Sequence, residues 1–187
     1  MDSNIAESLK KAQDDYYSNN KKNVFFKKEQ KFECAESLSQ QFDIHQIIAA
    51  SVFVIPDTNR VYMDYPMFKM YANPENYLLI AQRFITIINE LIHKYGVYEM
   101  HLNINGFTVS AAERYIPLIR LYCQECLKDP SLSRYDKMSQ LYTYYTPLVM
   151  SNIVPIIAKV SEPGLRDKMT NYSKQESGEF LKQLLNN

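Results

Sequence analysis

Tyr98-Glu99-Met100-His101-Leu102-Asn103-Ile104-Asn105 is the stretch that decides the fold. Tyr98, Met100, Leu102 and Ile104 fall on one side, and Glu99, His101, Asn103 and Asn105 on the other. Strict alternation is the mark of a strand with two unlike faces. One face must pack on helices while the other meets something polar. A helix precedes the strand. Asn73-Pro74-Glu75 supplies a cap, a proline for the first turn and an acid beside it. Tyr77, Leu78, Ala81, Phe84, Ile85, Ile88, Leu91, Ile92 and Tyr95 then form an apolar stripe, and Gly96 closes it. A second helix follows. Gly106 to Val109 reads as a turn, and Ser110-Ala111-Ala112-Glu113 as a capping box opening a helix to about Leu127. Pro117 predicts a kink near its start.

Outward from this helix–strand–helix unit, Leu141 to Tyr145 predicts another strand. Leu148 to Val160 predicts a helix that is apolar nearly all round, split by Pro155 into two short segments. A helix of that kind must be covered by protein or by an apolar ligand. Glu162-Pro163-Gly164 ends it, and a last amphipathic helix runs from about Gln175 to Leu185. Toward the N-terminus, Ile47 to Ile55 is apolar almost throughout and reads as a buried strand. Pro56 to Asn59 is a turn. A second strand covers Val61 to Met63 and resumes from Met67 to Tyr71, with Pro66 marking an edge or a break. Strands and helices in this order predict an α/β fold: a mostly parallel sheet with flanking helices and right-handed crossovers.

The composition narrows the function. The 187 residues fit one domain. Lys and Arg together number 21 and are cancelled by 21 acids, without the basic excess of a duplex-binding protein, so no nucleic acid is expected. Four glycines, none in a phosphate-loop pattern, disfavour a nucleotide site. Three cysteines are no disulfide framework, and Cys123-x-x-Cys126 lies in a helical pattern with no second pair, so reduced thiols and a cytoplasmic chain are expected. No metal is expected. No secretory signal is read at Met1 to Asn4, and no apolar run is long enough to span a bilayer. Fifteen Tyr, nine Phe and eight Met suit an adaptable apolar cavity, and equally reflect an A/T-rich genome.

Residues 1–40 read as a polar, basic helical extension preceding a domain at 41–187. Within it, Lys21, Lys22, Phe25, Phe26, Lys27 and Lys28 interleave cations with phenylalanines, as a transient membrane contact would. An ordinary solvated segment with two core phenylalanines is the alternative.

The C-terminal third carries a resemblance. Tyr135-Asp136-Lys137-Met138, then Tyr145-Thr146-Pro147, the apolar helix, and Glu162-Pro163 with Lys168-Met169 follow one another at spacings that resemble the CRAL-TRIO lipid-binding domain, as in fungal phosphatidylinositol/phosphatidylcholine transfer proteins. Leu102 to Thr108, Asp57 to Tyr62 and Phe180 to Leu184 resemble further elements of that family, so the likeness runs from about Gln46 to Leu185. Asp136 stands where the family has glutamate, and most of its N-terminal helical lobe is missing. The resemblance implies a sheet floor, a mobile gate helix and a bound lipid in place of a cofactor. Asp136 and Lys168 would hold the headgroup. Met100, Leu102, Leu141, Met150, Ile153, Val154 and Ile157 would line the cavity and gate. Such a protein binds, transfers or presents a phospholipid such as a phosphoinositide, or another lipophile, in the cytoplasm or at membrane surfaces. The alternative is a protein-interaction module, or a homodimer, that keeps the fold without a ligand. No catalysis is expected: Glu99 and His101 share a strand face, as an acid/base couple could, but no nucleophile motif accompanies them.

Overall fold

The computed structural model describes residues 3–20 and 27–186. The chain is α/β. Its order is α1 (Ser3–Asn19), α2 (Lys27–Gln41), α3 (Ile44–Ser51), β1 (Val52–Val54), β2 (Arg60–Asp64), α4 (Tyr65–Tyr71), α5 (Tyr77–Tyr95), β3 (Tyr98–Asn103), α6 (Val109–Leu127), α7 (Arg134–Lys137), β4 (Met138–Tyr144), α8 (Met150–Ala158), β5 (Met169–Asn171) and α9 (Lys174–Asn186). The sheet runs β1-β2-β3-β4-β5, with β1 antiparallel to β2 and the rest parallel.

Each parallel step moves one strand further in the same direction. Right-handed crossovers then place every crossover helix on one face. On that face Val61, Met138 and Leu141 pack with Ile87, Ile88 and Leu91 of α5, while α6 lies against α5 and α8 against α6. The far face receives α9, whose Leu181 and Leu184 meet Ile55, Tyr62 and Tyr144. Ser177 fixes its approach: the buried hydroxyl accepts from the Tyr145 N–H at 2.6 Å, where Tyr145 turns the chain at φ 55°.

Several sequence expectations are corrected. Ile47 to Ser51 is helical, and only Val52–Val54 of the expected strand is extended. Asp43 decides this, because its carboxylate accepts from the His45 and Gln46 N–H groups and starts a helix that buries Ile47 and Ile48. Met67 to Tyr71 likewise lies in α4. Asp64 caps it through the Met67 N–H at 3.0 Å, and Pro66 occupies the first turn, where its missing N–H costs nothing. The cap of α6 is Thr108, whose hydroxyl accepts from the Ala111 N–H, in place of the Ser110 box. Pro155 sits inside one short helix that is not split. The start at Asn73 and the end at Gly96 (φ 79°) are as read, with a 3-10 turn at Pro74–Asn76 leading into α5.

Residues 1–40 contribute directly to the core. Leu9, Cys34 and Leu38 join Ile47, Ile48, Phe68, Tyr71, Ile80 and Tyr115 in one cluster.

Asp64 links two layers, since it also accepts from the Asn103 side chain at 3.3 Å. Asp64→Ala should therefore lower unfolding stability by about 2 kcal/mol, from a lost cap and an orphaned buried amide. Asp64→Asn, which retains an acceptor, should cost less; urea denaturation of the two variants checks the ranking.

Candidate functional site

Burial along β3 does not follow side-chain polarity: Tyr98 and Ile104 of the apolar face are buried, and so are two residues of the polar face. His101 and Asn103 are only 3% and 9% exposed. Met100 and Leu102, on the helix-covered face of this central strand, stay partly open.

The polar face is closed by its own side chains. Register places Arg60, Tyr62 and Asp64 of β2 beside Glu99, His101 and Asn103, with Gln140, Tyr142 and Tyr144 of β4 beyond. His101 lies nearly parallel to Tyr142, their ring centres 4.7 Å apart. Tyr172 stacks on Tyr144 at 5.3 Å and meets Phe180 of α9 at 4.4 Å. A hydrogen-bonded chain runs through the stack. Glu99 can only accept, so His101 Nε2–H donates to it at 3.3 Å. The neutral ring then accepts the Tyr144 O–H at Nδ1, 2.9 Å away. Arg60 Nε donates to the same Glu99 carboxylate at 3.1 Å. Burial lowers the His101 pKa, opposed by Glu99 and assisted by Arg60. His101 is thus enclosed between Glu99 and Tyr144, under the Tyr142 ring.

On the helix-covered face, the residues expected to line a cavity divide. Leu141 and Ile153 are buried; Met100, Leu102, Met150, Val154 and Ile157 are partly open. Ile153 is the only buried residue of α8, so the expected full cover over this helix is not found. Leu148 stands wholly in solvent and Val149 is nearly half exposed. Two shallow hollows, of about 420 and 480 Å³, lie along α1 and not beneath α8.

Asp136 and Lys168 are brought together, though with unequal freedom. Asp136 is exposed in the single turn of α7. Lys168 Nζ donates to the Tyr135 and Met138 carbonyls at 2.8 Å each, and to the Asp136 carbonyl at 3.4 Å. It also lies 4.4 Å from the centre of the Tyr135 ring. Gly164 (φ 84°) makes room for this arrangement, since a Cβ there would stand 2.9 Å from Tyr135 Oη. At the other end of the α8 crossover, Thr143 donates to Asn171 at 2.6 Å, and the Thr146 N–H donates to the Tyr172 carbonyl at 3.0 Å.

Of the expected membrane contacts, Lys27 and Lys28 open α2 and are exposed, whereas Lys21, Lys22, Phe25 and Phe26 lie outside the described residues. No described helix is long and apolar enough to cross a membrane. Among the described residues, no three His, Cys, Asp or Glu side chains converge as a metal site would. Burial pushes the Cys123 thiol up to about 11 and raises that of Cys126, the reverse of a reactive pair. The Tyr142–Tyr144–Tyr172 stack was not read from the sequence. The signal was the spacing of the β4 tyrosines, in step with His101 and Asn103.

No family model, curated protein or solved structure matches this chain.

Two outcomes follow from these contacts. His101 is held neutral, with its pKa below the ordinary 6.5, so the unfolded chain binds more protons as pH falls through 6.5. Stability should decline as pH falls below it, and the decline should be shallower in His101→Phe, as followed by thermal melts across pH. Lys168→Met leaves three carbonyls without their charged donor and should cost about 2 kcal/mol in urea unfolding.

Proposed function

We propose that the protein binds a phospholipid or another lipophile between the helix-covered face of the sheet and α8. One observation carries this reading. Met100 and Leu102 belong to the central strand and point toward the crossover helices, yet remain partly open. A central strand under a helical layer ordinarily buries such side chains completely, because each contributes about 1.5–3 kcal/mol when removed from water. An acyl chain laid along Met100, Leu102, Val154 and Ile157 would complete that burial. α8 packs on α6 with only Ile153 fully buried, and it is the element that moves aside to admit the chain. Asp136, exposed beside Lys168, would accept from headgroup hydroxyls, and the lysine could trade its carbonyls for a headgroup oxygen. The CRAL-TRIO resemblance supports the same arrangement, with a phosphoinositide as one ligand, transfer or presentation as the task, and the cytoplasm and membrane surfaces as its setting. Catalysis forms no part of this reading.

Exposed Leu148 and Val149 favour a second reading, in which α8 docks on a protein partner or a second copy and no lipid enters.

Native mass spectrometry of protein purified from eukaryotic cells, together with uptake of labelled lipid from vesicles, separates the two. The lipid reading expects a co-purified lipophile and uptake that Leu102→Trp abolishes by filling the space. A protein that carries no lipophile and takes none up sinks it.

A further inference from the structure

Arg114, in the second turn of α6, is only 9% exposed, and its Nε is buried without a hydrogen-bond partner. The other buried side-chain polar atom without a partner, among the described residues, is Tyr77 Oη. The two belong to one neighbourhood: Tyr77 packs edge-on against Tyr115 at 6.3 Å, and the Arg114 guanidinium lies 5.0 Å from the centre of the same ring. The guanidinium also hydrogen-bonds the Tyr65 hydroxyl and acts on Tyr77 through its charge, so it is Nε that stays unmatched.

A buried guanidinium is ordinarily matched by a carboxylate, because an uncompensated buried charge is costly. Two cations, Lys31 and Lys69, lie within electrostatic reach of it. Burial, and then the charges of Arg114, Lys69 and Lys27, lower the ammonium pKa of Lys31 in α2. Lys69 of α4 feels Lys10 of α1 and Arg114, with Asp64 as the opposing acid. Lys69 Nζ also stands 3.6 Å from where a Cβ on Gly106 would lie, which places it at the turn leading into α6. Its ammonium is 5.7 Å from the centre of the Tyr65 ring. Lys10 is paired with Asp14 at 2.7 Å, so one of these cations is already compensated. Lys31 of α2, Lys69 of α4 and Arg114 of α6 thus each act on the others, and Lys10 of α1 acts on Lys69. Mutual repulsion disfavours this unless an anion offsets it.

We propose that Arg114, with the Tyr77 hydroxyl and the exposed ammonium groups of Lys31 and Lys69, forms a binding site for a phosphate-bearing anion at the junction of α1, α2, α4 and the start of α6. The guanidinium supplies planar donors suited to two phosphate oxygens, Tyr77 donates a neutral hydroxyl, and the lysines close over the outer oxygens as mobile point charges. The site uses none of the residues of the lipid reading and does not depend on it. The phosphate could come from a soluble polyphosphate or from a phosphomonoester headgroup.

Thermal melts of the full chain in 10 mM pyrophosphate, against potassium chloride of equal ionic strength, test the site. The expected result is a rise of about 5 °C with pyrophosphate only, for a dissociation constant of about 0.1 mM. Arg114→Leu and Lys69→Gln should both abolish the rise. Lys69 is exposed, so Lys69→Gln remains informative should Arg114→Leu fail to fold. Cosedimentation then identifies the source. Binding to vesicles of phosphatidic acid in phosphatidylcholine, lost in Lys69→Gln, indicates a headgroup; a pyrophosphate response without vesicle binding indicates a soluble anion. An equal response to chloride, or an undiminished pyrophosphate response in Lys69→Gln and Arg114→Leu, overturns the proposal.

Discussion

Sequential strand order is the constraint from which the rest of the structure follows. With β2 to β5 parallel and each crossover stepping to the next strand, α5, α6 and α8 have one face available to them. The far face is then left with whatever the chain brings after β5, which is α9. One amphipathic helix anchored through Leu181 and Leu184 cannot cover five strands. The sheet closes the remainder with stacked rings, and Tyr142, Tyr144 and Tyr172 serve because each presents a broad apolar face and a hydroxyl that can stay wet or find a partner. His101 fits the same stack, since its ring is flat and its two nitrogens are satisfied by Tyr144 and Glu99.

Much of this layout was legible in the sequence, for identifiable reasons. The alternation of β3, the cap at Asn73 and the stop at Gly96 are local signals, and local signals were obeyed. What failed was decided by single side chains that override composition. Ile44–Ser51 has the apolar, β-branched content of a strand, yet one carboxylate at Asp43 satisfies two N–H groups and makes the helix. Asp64 does the same for Tyr65–Tyr71. Both aspartates lie just before the misread segments, where a cap acts and a periodicity count does not look.

Burial was less legible than secondary structure. Alternation reports that β3 has two unlike faces, but not which is better sealed. Polarity put His101 on a face meeting something polar, yet it is buried and Met100 and Leu102 are only partly so, because sealing depends on rings contributed from β4 and from Tyr172. Those are distant in sequence from β3, and no local pattern encodes them. The cationic junction around Arg114 was hidden for a similar reason: Lys10, Lys31, Lys69 and Arg114 are widely spaced, and a net charge of zero conceals where the positive charge gathers.

The spacing of Asp136 and Lys168 was legible as a pair, and the structure gives that pair a mechanical meaning apart from any headgroup. Lys168 ties the end of the α8 crossover to the carbonyls around α7, and the Thr143, Thr146 and Asn171 contacts tie its beginning to β4 and β5. Between these two clamps α8 packs on α6, and Ile153 is its only fully buried residue. Pro147 and Gly164 bound the segment, the one fixing φ and the other allowing the left-handed turn against Tyr135. A segment fixed at both ends and lightly held in the middle swings as a unit more readily than it unravels.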